Sequence, residues 1–276
     1  MDSHAATYVG LNWLTVLVYL VAIITNSIGI VFKKEVFERW SYRVVWLGLF
    51  VHSCAILYWW QLAGHGPYMA PSEILSSNAW CTIVTFFVFL RLFPAIRPAS
   101  IVVFPAAFLL VALGNIYNPG LRTLPPTYGT IWLVIHILLY KISLSTLVIG
   151  LAFSILYLRK TRCKPSQWLT RLPEPDIMDL YAYRFAGFGF IFWGMAMLAG
   201  SIWAYKSWGR FWGWDPVETW SLICWLSFGV YLHLRRFFGV KGRVAAWLFM
   251  SCFVIAIIAY YVTSHMGSSI HSEYFK

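Results

Sequence analysis

LNWLTVLVYLVAIITNSIGIVF (11–32) followed directly by KKEVFERWSYR (33–43) decides the fold class. The first run carries no charged side chain. At 1.5 Å per residue, 22 residues make a helix about 33 Å long, enough to cross a hydrocarbon core of about 30 Å. The second run places Lys33, Lys34, Arg39 and Arg43 where such a helix would leave the membrane. The same alternation recurs along the chain. Apolar runs at about 43–62, 76–93, 99–114, 129–158, 184–204, 218–237 and 244–263 give eight expected spans in a single membrane domain covering 1–276, with the fourth short and carrying Pro105. The predicted fold is an all-α polytopic membrane protein.

Composition agrees. Hydrophobic residues make up 60% of the 276 and charged residues 11%, against about 25% charged in ordinary soluble domains. A soluble protein could not make its polar skin from that. The net charge of +11 would suit a nucleic-acid surface, but the basic residues sit in short clusters between apolar runs, so no nucleic acid is expected as a partner. Sixteen of the twenty-one Lys and Arg lie in the loops after spans one, three, five and seven. Arg122, Lys206, Arg210 and Lys276 lie on the other side, and Lys141 falls within span five. Under the positive-inside rule both termini face outward. The five cysteines form no CxxC pair, which excludes a thiol redox motif or a disulfide framework. No basic n-region opens the chain, so no cleavable signal peptide is expected.

Topology then gives the rarer residues their depth. His136 lies about seven residues into span five, roughly 10 Å below the outer boundary, on a stripe with Trp132 and Tyr140. His52 lies mid-depth in span two and His233 near the inner end of span seven. His65, His265 and His271 fall outside. The segment WAYKSWGRFWGWDPVETWSLICWLSFGVYLHLR (203–235) packs four tryptophans, a phenylalanine and two glycines between Trp208 and Trp220. An interfacial aromatic belt accounts for tryptophans at one depth. A flat shelf for a planar ligand accounts for Trp208, Trp212 and Trp214 interleaved with glycine, with Lys206 or Arg210 placed to meet carboxylates. Both readings stand on the residues alone. The Asp-Pro-x-Glu string from Asp215 to Glu218 reads as a helix cap.

The run WGRFWGWDPVETWSLICW (208–225) resembles the tryptophan-rich "WWD" signature of haem-handling proteins of cytochrome c biogenesis, and with YLHLR (231–235) it resembles the CcsA (ResC) family in particular. GHGPYMAPSEILSSNAW (64–80) resembles that family's first outer loop, with Glu73 at the acidic position. WLVIHILLYKISLS (132–145) and SSIHSEYF (268–275) resemble the stretches bearing its two outer haem ligands. The resemblance implies haem b as bound ligand and substrate, its iron ligated by His136 and His271 on the outer side, over a loop at about 203–220 that includes Arg210 and Asp215, with Trp132 nearby. It implies His233 as an inner ligand, for which Gly229 one turn away leaves space; His52 is a weaker candidate as its partner. It implies a CcsB (ResB)-type membrane subunit, apocytochrome c with its CxxCH segment, and thioredoxin-like thiol reductants as partners, in a bacterial inner membrane or a thylakoid. Three activities follow as expectations: part of a holocytochrome c synthase, a haem exporter without synthase activity, or a b-type electron carrier.

Overall fold

The computed structural model describes residues 3–162 and 168–265, with backbone alone for 261–265. Among the described residues eight α-helices follow one another: α1 (Ser3–Val31), α2 (Glu35–Ala63), α3 (Pro71–Leu92), α4 (Ser100–Gly114), α5 (Ile131–Arg162), α6 (Pro175–Trp208), α7 (Pro216–Phe237) and α8 (Gly242–His265). A 3-10 turn, Pro94–Ala99, leads into α4, which runs on through Pro105. No strand occurs among the described residues. This is the all-α polytopic membrane protein that the apolar runs predict. Among the described residues seven segments are long and apolar enough to cross a membrane, counting Pro94–Gly114 as one. The eighth helix, α7, is as long as α3, but Glu218, Thr219 and Ser221 near its start and Arg235 and Arg236 at its end dilute its apolar run.

The helices gather into two compact units, one holding α1–α4 with the short segment ending at Leu172, the other α5–α8. In the first, hydrogen bonds join helices that lipid would otherwise solvate equally well. Asn26 of α1 donates to Ser100 Oγ of α4 (3.1 Å) and accepts from Ser41 Oγ of α2 (3.3 Å). Gly29 and the left-handed Lys33 (φ 57°) make the turn into α2, where any Cβ at position 29 would stand 2.5 Å from the Glu38 backbone nitrogen.

In the second unit α5 and α6 run antiparallel in close contact. Small residues permit the approach: Gly189 lies against Leu147, and Ser143 Oγ donates to the Gly189 carbonyl at 2.7 Å. Leu147, Trp193, Phe228, Tyr231 and Phe249 fill the core between α5, α6, α7 and α8. At one end Arg235 grips Asp179 with two bonds of 2.5 and 2.8 Å, and the same carboxylate accepts from Gly242 N at 3.1 Å. One ion pair thereby ties α6, α7 and the start of α8.

Candidate functional site

The tryptophan loop is built by its two flanking helices. α6 stops at Gly209, whose φ of 73° only glycine adopts without strain, and its N–H closes on Tyr205 O at 2.8 Å. α7 starts at Asp215, whose side chain accepts from Val217 N at 2.9 Å. Glu218 completes a capping box and reaches one residue further, its Oε2 accepting from Asp215 N (3.2 Å) and Gly213 N (2.8 Å). Those two N–H groups flank Trp214, which holds φ 57° although it is not glycine. The expected cap is present and does more than cap: one carboxylate pins both sides of a strained tryptophan that is 70% exposed.

The expected flat shelf takes another shape. Trp212 and Trp214 meet at 5.8 Å and 87°, with Trp214 in the left-handed backbone region. They form a corner, with a wall and a floor. Tyr205 and Phe211 stack nearly parallel at 4.4 Å. Trp208 packs edge-on to Trp203 at 4.9 Å, and Trp203 leads to His136 at 6.1 Å. Trp203, which the sequence reading leaves as a mere boundary of the loop, is therefore the link between loop and histidine. Its indole N–H donates to Thr127 O at 2.8 Å. Arg210 is exposed and folds back over Gly213; Lys206 is also exposed.

His136 is half-buried on α5, one turn beyond the half-buried Trp132. Its Nδ1 lies 2.8 Å from the Ala196 carbonyl oxygen of α6. A carbonyl only accepts, so the proton sits on Nδ1 and the lone pair on Nε2, the arrangement of a metal-ligating imidazole. Tyr140 closes the inner side edge-on at 4.9 Å; its hydroxyl bonds to Ser221 Oγ, which also accepts from Trp193 Nε1 at 3.0 Å. The residues present fit a porphyrin: an imidazole with its lone pair defined, aromatic faces for the ring, and two cations for carboxylates.

The remaining histidines separate. His271 lies outside the described residues. His233 is exposed near the end of α7, with Phe237 at 4.6 Å and Phe238 at 5.9 Å, rings themselves 73% and 70% exposed. The space expected beside Gly229 is filled by Phe190, which stacks on Trp225 at 4.5 Å. His52 is a core residue. Tyr19 OH donates to its Nδ1 (3.2 Å), its Nε2 donates to Ser76 Oγ (2.8 Å), and Ser76 donates in turn to Asn12 Oδ1 (3.3 Å). With both ring nitrogens engaged, it is placed in the core of the first unit. His65 Nδ1 lies 2.8 Å from Gly66 O and Nε2 3.1 Å from Arg122 O, ordering its loop. Glu73 is buried and accepts from Trp59 Nε1 and Met69 N, both at 2.9 Å, which assigns it to that loop's structure.

Comparison with known proteins gives the same direction. The family model described as "Cytochrome C assembly protein" matches residues 81–271. Proteins named "Cytochrome c biogenesis protein CcsA" are similar to this chain. That of Prochlorococcus marinus (strain MIT 9312) is 29% identical over 273 residues, covering 89% of this chain and 88% of its own. That of Guillardia theta is 28% identical over 286 residues, 95% and 94% covered. That of Chlamydomonas reinhardtii is 30% identical over 222 residues, covering 77% of this chain and 62% of its own. A solved chain, "Cytochrome c Heme Lyase CcmF", superposes with a TM-score of 0.69 at 16% identity, a likeness of fold; this chain is covered completely and spans 49% of that one. The family match spans α5, the tryptophan loop and α7, so the chain belongs to the cytochrome c assembly protein family and is a protein of cytochrome c maturation.

Proposed function

We propose that this chain receives haem b within the membrane, near His233, and holds it on the outer face for attachment to apocytochrome c. His136 and His271 grip the iron from opposite sides, and Trp208, Trp212 and Trp214 receive the porphyrin edge and face. Arg210 and Lys206 meet its carboxylates. Both termini lie outside, a placement that the sixteen-to-four division of Lys and Arg supports. The observation that carries the reading is the His136 tautomer: Nδ1 is committed to Ala196 O, which puts the lone pair on Nε2, in a ring whose centroid lies 6.1 Å from that of Trp203.

The attachment itself asks little acid–base chemistry of this chain. Each thiol of a reduced CxxCH segment adds across one haem vinyl group, its S–H divided over the double bond, and the peptide's own histidine replaces one of the chain's ligands. The protein contributes placement, and the porphyrin carries the reactivity. A CcsB-type subunit completes the working unit in a bacterial inner membrane or a thylakoid, and thioredoxin-like proteins keep the CxxCH thiols reduced.

The test is expression with a reporter apocytochrome, with and without a CcsB-type partner. Thioether-linked haem formed with the partner and lost in the His136→Ala and His271→Ala variants supports the reading. Haem delivered outside without thioether bonds makes the chain an exporter. Attachment that persists in both variants overturns the ligand assignment.

A further inference from the structure

The imidazole of His136 occupies space that a side chain at position 200 would fill. A Cβ built on Gly200 of α6 would stand 2.4 Å from His136 Nδ1 and 2.5 Å from Cε1, closer than any real contact. The carbonyl that receives the Nδ1 proton, Ala196 O at 2.8 Å, lies one helical turn before Gly200. In an α-helix that oxygen is already turned toward the N–H of residue 200. An imidazole from a neighbouring helix reaches it only where residue 200 is bare. Elsewhere on α6 a Cβ at Gly187 meets nothing within 4 Å, whereas one at Gly189 would stand 2.5 Å from Leu147 Cδ2, a contact with hydrocarbon that involves no ring nitrogen.

We propose that Gly200 is a positioning residue for the haem ligand: its missing side chain makes the notch in which His136 turns its Nδ1 to Ala196 and its Nε2 to iron. The proposal rests on the reading of His136 as an axial ligand. Around the notch, Tyr140 stands edge-on at 4.9 Å and Trp203 lies at 6.1 Å, so the ring has little room to turn aside. An alanine at 200 drives the ring back by about 1 Å to reach ordinary van der Waals separation. An N–H···O bond lengthened that far is no longer a bond. Iron then meets an imidazole of the wrong orientation and weaker basicity, and losing such an outer partner commonly weakens a metal site 10- to 100-fold.

The experiment measures haem content and the absorption spectrum of the full chain purified with its partner subunit. Gly200→Ala is expected to lower haem retention roughly tenfold and alter the spectrum, while Gly187→Ala on the same helix leaves both unchanged. The untethered case separates positioning from general damage. His136→Gly supplied with free imidazole is expected to regain haem, and adding Gly200→Ala to it is expected to change nothing, because an untethered ring can shift clear of the added methyl group. That double variant also serves if Gly200→Ala alone fails to accumulate. Wild-type haem and spectrum in Gly200→Ala would overturn the proposal, as would equal damage in the imidazole-filled background. Wild-type haem and spectrum in His136→Ala would instead overturn the reading beneath it.

Discussion

Removing Glu218 should release the tryptophan loop. Its Oε2 accepts two backbone N–H groups, from Gly213 at 2.8 Å and Asp215 at 3.2 Å. Bonds to a charged acceptor contribute about 1.5–3 kcal/mol each. Glu218 is half-buried, so the lower end applies and the pair contributes about 3 kcal/mol. Trp214 between them sits at φ 57°, a conformation costing roughly 1–2 kcal/mol. Without the carboxylate that cost stands uncompensated. Glu218→Ala therefore disfavours the seated loop by about 3 kcal/mol, near 150-fold, and Glu218→Gln, which keeps a neutral acceptor, by about half that energy, near tenfold. Two readouts follow it. Trypsin cuts after the exposed Arg210 only when the loop opens far enough to enter the protease, so cleavage there should quicken in the order wild type, Gln, Ala. Haem retention should fall in the same order. Cleavage at Arg210 and haem retention both at wild-type levels in Glu218→Ala would refute the assignment of this carboxylate as the lock on Trp214.

Two further substitutions separate scaffold from site. His52→Phe leaves Tyr19 and Ser76 without their buried partner and should lower stability by about 2–4 kcal/mol, read as a lower melting temperature in detergent, with the haem spectrum per folded molecule unchanged; a lost haem signal at unaltered melting temperature would make His52 a ligand instead. Asp179→Ala strands the Arg235 guanidinium in a site where the two side chains are 11% and 6% exposed, costing about 3–5 kcal/mol. Replacing both, Asp179→Leu with Arg235→Met, should recover most of the melting temperature, and a double variant no better than the single one would refute the desolvation argument.

The number and order of the helices are legible in the sequence because hydrocarbon thickness sets a minimum apolar run, and each run here is bounded by charge or proline. Their ends are less so. Span six reads as about 184–204 but α6 extends over Pro175–Trp208, since hydropathy reports only the lipid-buried part while Pro175 and the left-handed Gly209 set the true limits. The Asp215–Glu218 cap is legible from local spacing, because capping is a local interaction. Which helices pair is not, since every helix is apolar and lipid offers no contrast; the division into α1–α4 and α5–α8 has no signature in composition. Nor does sequence mark the Ala196 carbonyl, the bare Gly200, or the Phe190 ring that fills the space beside Gly229. Each depends on a partner helix whose register hydropathy does not carry. Nor does it mark the left-handed backbone of Trp214, a residue type that rarely adopts it, or the right angle between the Trp212 and Trp214 rings.

The central claim is that imidazoles of this chain hold haem iron at the outer tryptophan loop. Its most direct measurement is the absorption spectrum of the chain purified with the proposed CcsB-type subunit, for wild type and for His136→Ala, His271→Ala and His233→Ala. A bis-imidazole haem spectrum in the wild type is predicted, weakened in the first two variants and absent in the third, where uptake fails. Complex isolated without haem, even from cells rich in it, would contradict the claim.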